Sequence, residues 1–273
     1  VMNFFLSLDK HLHRRLSLLV ILLLTLLVGC GTTSGTLPAA PSAQPAADIG
    51  LKALPHEWSR TKPGCEDANS CPAISVNSLK FPEDAQLSKQ LEQRLIMLNL
   101  FESEQDTAFN NLLEYEQFFW ENADILDWVS FTANIVFKNE RFTVLELMNG
   151  IYFTGAAHGM SSSEYLNWDN DTQTPITLED MLVPDAQEQF YALLATAHQQ
   201  WLATLATTTD LDLDAWLDIW PFHTNDNIAL TATGVTVKYN PYAIAPYSFG
   251  LPELQIPYAQ LQGVLKPDYL LNP

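Results

Sequence analysis

The spacing of apolar positions changes period several times along the chain. Ile74-Ser75-Val76-Asn77-Ser78-Leu79 alternates apolar and polar, as a half-buried strand does. Phe81-Pro82 ends it. From Glu83 the period becomes helical: Leu87, Leu91, Leu95 and Leu98 recur on one face, with Glu83 and Asp84 in the first turn complementing the dipole. A second helix is expected over 107–120, carrying Phe109, Leu112, Leu113, Glu116 and Phe119. The runs 128–137, 142–152 and 161–168 then read as strands, the first two joined by the short hairpin loop Lys138-Asn139-Glu140. A turn at 169–172 precedes a short helix over 177–182, with Thr177 as its N-cap and Asp180 three residues on. Pro184-Asp185 opens a longer helix to about residue 205, and 212–219 is short and either helical or extended. Closing strands are expected at 228–233, 235–239 and 254–257, with Gly234 at the turn between the first two, and a final helix at 258–264. Runs of strands and runs of helices, without strict βαβ alternation, indicate an α+β fold, here an antiparallel sheet with packed helices.

The N-terminus carries different information. Lys10, Arg14 and Arg15 precede an apolar run over 16–28, broken only by Ser17 and Thr25. A membrane span needs roughly 20 such residues, whereas a signal-peptide core needs about 7–15. The run ends at Leu27-Val28-Gly29-Cys30, which resembles the bacterial lipobox, so 1–29 reads as an export signal and Cys30 as the lipid-modified residue. Acyl chains on Cys30 would anchor the protein to a membrane. Gly31 follows the cysteine rather than the aspartate associated with inner-membrane retention, which favours the outer membrane if the cell is Gram-negative. Residues 30–50 are rich in Gly, Thr, Ser, Pro and Ala without periodicity, and form a flexible tether.

Charge narrows the partners. The chain has 13 Lys and Arg against 32 Asp and Glu. Without Asp9, Lys10, Arg14 and Arg15 of the leader, 10 basic residues face 31 acidic ones, a net charge of −21. Such a surface repels phosphate backbones, so nucleic acid is a poor partner, and it attracts cationic ones. The alternative is that acidity only maintains solubility. Two cysteines remain, Cys65 and Cys71, and export would place them where a structural disulfide forms.

A family resemblance then appears. Tyr152-Phe153-Thr154-Gly155-Ala156-Ala157-His158-Gly159 resembles the Y-x-x-GGAHG signature of the DUF3298 domain. Asn167-Trp168-Asp169 with 176–182, the segment 230–247, and Gly250 with Ile256-Pro257-Tyr258 resemble its later motifs. Residues 74–100 are similar to the companion DUF4163 region. Ala156 stands where the signature has its second glycine, and Thr174-Pro175 replaces the usual turn glycine. The resemblance implies a DUF4163-like part over 51–125 and a DUF3298-like domain over 126–273. It also implies an extracytoplasmic binding module similar to the lysozyme-binding part of the anti-sigma factor RsiV and to the region beside the deacetylase PdaC.

The candidate site residues follow from chemistry. His158, between Gly155 and Gly159, can contact a ligand, move a proton near neutral pH, or fix a loop. Tyr242 and Tyr247 lie in Tyr239-Asn240-Pro241-Tyr242-Ala243-Ile244-Ala245-Pro246-Tyr247-Ser248-Phe249, where two prolines stiffen an aromatic surface that either anchors a partner or packs on its own sheet. Asp169, Asp171, Gln173 and Asp180 match ligand positions of a calcium loop, but Thr174 stands where its glycine is required; the run at 210–214 fails at Ala215. No nucleophile, zinc or phosphate-loop motif appears, so no catalytic residue, metal or cofactor is assigned. The expected function is a cell-envelope binding domain for a cationic protein such as lysozyme or for a cell-wall glycan; the alternative is an envelope hydrolase or accessory factor centred on His158.

Overall fold

The structure is a computed structural model and describes residues 49–67, 70–99, 109–208 and 212–271. The leader, Cys30 and nearly all of the tether lie outside the described residues.

Six strands make one sheet in chain order: β1 (Leu54–Thr61), β2 (Ala73–Lys80), β3 (Trp128–Lys138), β4 (Phe142–Tyr152), β5 (Met160–Asp169) and β6 (Thr174–Ile176). Each neighbour pair is antiparallel except β2 and β3, which are parallel. The α+β architecture expected from sequence is present; the one departure from an antiparallel sheet is the β2–β3 pair, whose parallel pairing needs a crossover that two helices supply. These are α1 (Ala85–Met97) and α2 (Leu112–Asn122). Asp84 caps α1 by accepting from the Leu87 N–H, and its other carboxylate oxygen accepts from the buried Trp168 indole at 2.8 Å. Glu83 therefore lies just outside the helix.

α1 and α2 cover one face of the sheet, where Leu87, Leu91 and Leu95 meet Ile74, Phe131, Leu145, Leu147 and Trp168. Beyond β6 come α3 (Leu178–Met181), α4 (Gln187–Thr208) and α5 (Leu213–Ile219), then a second, antiparallel sheet of β7 (Ile228–Leu230), β8 (Gly234–Lys238) and β9 (Glu253–Pro257). A second core joins Phe142, Val144 and Tyr165 to Phe190 and Leu194 of α4 and to Ile228, Val237, Leu254 and Ile256. A register shift between Ile135 and Phe137 serves both cores. Ile135 packs on the α1–α2 core, and the bulge sends Phe137 to the other one.

Asparagine side chains join the two sheets. Asn167 on β5 donates to the Ile228 carbonyl at 2.7 Å and accepts from the Leu230 N–H at 2.9 Å. Asn227 accepts from the Tyr165 N–H and donates to the Ser163 carbonyl, satisfying the open edge of β5.

The Thr177–Asp180 capping box is present. The final helix expected at 258–264 is a single 3₁₀ turn, Tyr258–Gln260. Tertiary bonds compete successfully for its backbone: Leu265 bridges to Leu182, and the Val264 carbonyl accepts from the Val183 N–H. Cys65 and Cys71 are joined by a disulfide with Cα atoms 5.8 Å apart.

Candidate functional site

The glycine-flanked His158 and the aromatic loop meet at one end of the sheet. His158 lies in the connection between β4 and β5, and Tyr242 and Tyr247 in the connection between β8 and β9. The His158 ring stacks on Tyr247 at 4.1 Å, Tyr247 on Tyr242 at 5.9 Å, and Tyr242 on Trp220 at 6.2 Å, with interplanar angles of 28°, 28° and 30°. The Tyr247 hydroxyl donates to the Gly159 carbonyl at 2.8 Å. Tyr242 Oη and His158 Nε2 are 3.3 Å apart, and His158 Nδ1 is 2.8 Å from the Gly159 carbonyl. A proton on Nδ1 satisfies that carbonyl and leaves Nε2 to accept from Tyr242, so one neutral tautomer fits both contacts.

The two glycines serve different needs. Gly155 has φ +92° with open space around it, so it is required by the backbone conformation. At Gly159 a Cβ would lie 3.1 Å from the Ile151 carbonyl oxygen and 3.2 Å from the Trp128 ring, so it is required by close approach. Trp128, 39% exposed, extends the aromatic surface on that side.

The aromatic loop has a rigid root. Lys238, at the end of β8, is buried and forms ion pairs with Glu146 of β4 and with Glu253 at 2.6 Å. Burial opposes its charge, but the hydrogen bonds it donates to Glu146 and Glu253 outweigh that effect and hold the ammonium above the ordinary lysine range. The Tyr239 hydroxyl donates to the His223 carbonyl at 2.6 Å, and burial raises the pKa of that phenol. The Asn240 side chain accepts from the Ser163 N–H at 2.9 Å. Beyond this root, Tyr242 takes φ +69°, a left-handed conformation rare for a bulky side chain, while remaining 45% exposed. Strained backbone conformations of this kind cluster at binding and switch positions.

The structure thus brings together His158, Gly155, Gly159, Tyr242 and Tyr247. The sequence reading missed Trp220 and Trp128. Trp220 caps the end of α5, and Trp216 of the same helix packs edge-on against Phe249 at 5.1 Å. Two tryptophans four residues apart were the available signal. The same helix and its N-cap also expose Leu217, Ile219, Asp212, Asp214 and Asp218.

The calcium-like segment is a turn: Asp169 accepts from the N–H groups of Asp171 and Thr172, and Asp180 belongs to the capping box. Among the described residues no group of three His, Cys, Asp or Glu side chains is placed to hold a metal ion. The Ser162 and Ser163 hydroxyls near His158 in sequence donate to Asn149 and Glu146.

The fold and this paired-loop site define an α+β domain already seen in solved structures. The chain is similar to a crystal structure of a DUF3298 family protein from Pseudomonas aeruginosa PAO1, with 34% identity, a TM-score of 0.73, and 83% of this chain and 99% of that one covered. A DUF3298 family member from Bacteroides fragilis NCTC 9343 shares the fold at 18% identity and a TM-score of 0.59, with 81% and 96% covered. The family model for DUF3298, a protein family of unknown function, matches residues 179–259. No curated protein matches the chain. The chain belongs to the DUF3298 family.

Proposed function

We propose that this protein is a lipid-anchored binding module of the cell envelope, and that its aromatic face holds a cationic protein of the lysozyme kind. The observation that carries this reading is Tyr242: exposed, held at φ +69°, and hydrogen-bonded toward His158. The stacking also bears on the ligand. Tyr242 joins Tyr247 and Trp220 in one aromatic cluster and stays 45% exposed, a stiff amphipathic surface of the kind that anchors protein interfaces. The carboxylates of α5 and the net charge of −19 favour a basic partner.

Position supports the same reading. Lys138 donates to the Leu51 carbonyl, which places the first described residues at the β3–β4 turn. The aromatic face lies at the other end of these eleven-residue strands, about 35 Å away at the usual rise per residue. The aromatic face is thus at the opposite end of the sheet from residues 49–51.

A cell-wall glycan remains the second ligand class, favoured by the exposed Trp128 ring. Both ring nitrogens of His158 are used in fixing the loops, which supports a positioning role over the hydrolase alternative. NMR titration with lysozyme and, separately, with a muropeptide tests the reading. Salt-sensitive shifts at Tyr242 and His158 with lysozyme support it. Shifts with the muropeptide alone transfer the site to a glycan, and no response to either removes the binding function.

A further inference from the structure

Arg60, Arg94, Arg141 and Lys238 each meet a carboxylate, and Lys62 and Lys266 donate to backbone carbonyls. Lys80 and Lys89 have no such partner among the described residues. Both line one cavity of about 230 Å³ beneath the first half of α1, with His56, Ser78, Ser88 and Glu92 as its other polar walls.

The sheet register assembles this cavity. His56 on β1 lies directly opposite Ser78 on β2, and Leu54 lies opposite Lys80. Ser78 and Lys80 therefore share the face on which Ile74 and Val76 are buried under α1. Lys89 comes from α1 above. Ser78 is only 4% exposed as a residue, and no hydrogen bond is made by its hydroxyl among the described residues. The hydroxyl itself is reached from the cavity it lines, where it offers a donor to an occupant. Ser88, by contrast, is engaged: its Oγ accepts from the Phe81 N–H and donates to the Phe81 carbonyl. Glu92 is the one carboxylate on the wall, and one of its oxygens accepts from the Leu112 N–H. Two ammonium groups against one carboxylate leave the cavity locally positive in a strongly acidic chain.

We propose that this cavity is an oxyanion site that takes a phosphate group, bound by the ammonium groups of Lys80 and Lys89 and the hydroxyl of Ser78. Donors converge from the sheet below and the helix above, as a tetrahedral oxyanion requires. Burial first, and Lys80 second, hold the His56 imidazole below the ordinary histidine range, with Glu92 opposing. An anion beside Lys80 reverses the second effect, which makes His56 a reporter.

The site lies toward the end of the sheet where residues 49–51 meet the β3–β4 turn, so the phosphate can come from a lipid headgroup or from solution. The test follows the His56 imidazole by NMR in the detergent-solubilised full chain, at constant ionic strength. The probes are chloride, inorganic phosphate and dihexanoyl phosphatidylglycerol. The proposal expects a saturable rise of the His56 pKa with phosphate and none with chloride. Lys80→Gln and Lys89→Gln each weaken the apparent affinity about ten-fold or more, as loss of a charge-assisted contact does. Ser78→Ala, the mildest change, weakens it less while preserving the fold. Tighter binding of the lipid than of inorganic phosphate identifies a headgroup as the source; the reverse identifies free phosphate. No response beyond chloride, or an undiminished response in the Lys80→Gln, Lys89→Gln double variant, overturns the proposal.

Discussion

Tyr247 and Gly159, separated by 88 residues, are joined by a 2.8 Å hydrogen bond from phenol to carbonyl. This bond fastens the aromatic loop to the loop that carries His158. Tyr247→Phe keeps the ring stacked and removes only the bond, so it should cost about 0.5–1.5 kcal/mol. Urea unfolding measures the cost, and faster amide exchange at residues 153–159 would show that the anchor was lost there.

The left-handed Tyr242 predicts an unusual order among its variants. Tyr242→Gly should be more stable than Tyr242→Ala by about 1 kcal/mol, because glycine adopts φ +69° without strain. Both should lose partner binding. Thermal melts that placed the alanine variant above the glycine variant would mean that the strain is not stored at this residue.

The sequence made some of this fold plain and hid the rest for identifiable reasons. The strands at β3, β4 and β5 were legible because their alternation is strong, and the Thr177–Asp180 cap because its chemistry is local. β1 was not recognised: Leu54–Thr61 contains Pro55, and most of its residues on both faces are exposed, so it carries no burial period. The parallel pairing of β2 with β3 depends on a crossover that no local pattern specifies. Each half of the site was legible alone, from the glycines around His158 and the tyrosines around Pro241 and Pro246. Their meeting was not, since contacts such as Tyr242 to His158 span 84 residues. Trp220 escaped because the period of 212–219 did not distinguish helix from strand.

Asn227 predicts a cost out of proportion to its size. Its side chain serves the Tyr165 N–H, the Ser163 carbonyl and the Lys238 carbonyl at once. Asn227→Ala strips those partners at the open edge of β5 and should destabilise by about 1–3 kcal/mol. Asn227→Asp keeps the acceptor but loses both donated bonds, and it should also destabilise. Denaturant midpoints for the two variants check this, with a neutral Asn227→Ala as the contrary result.

His198 predicts acid sensitivity. It is 2% exposed between Trp201 and Phe222, and burial lowers its pKa below the ordinary histidine value. Between its folded and unfolded pKa values the unfolded chain binds the extra proton. Stability therefore falls as pH drops below about 6.5, with a slope of at most about 1.4 kcal/mol per pH unit from this group. His198→Phe should flatten that part of the stability profile. An unchanged slope in the variant would assign the acid sensitivity to other groups.

The central claim is that the Tyr242–His158 face binds a basic protein. Calorimetric titration of the full chain in detergent with lysozyme, at low salt and at high salt, tests it most directly when repeated with Tyr242→Ala. The account predicts saturable binding at low salt that weakens as salt screens the chain's negative charge. It also predicts a loss of about ten-fold or more in affinity for Tyr242→Ala, as for an interface anchor. No binding at low salt, or equal affinity for the Tyr242→Ala variant and the parent chain, would contradict it.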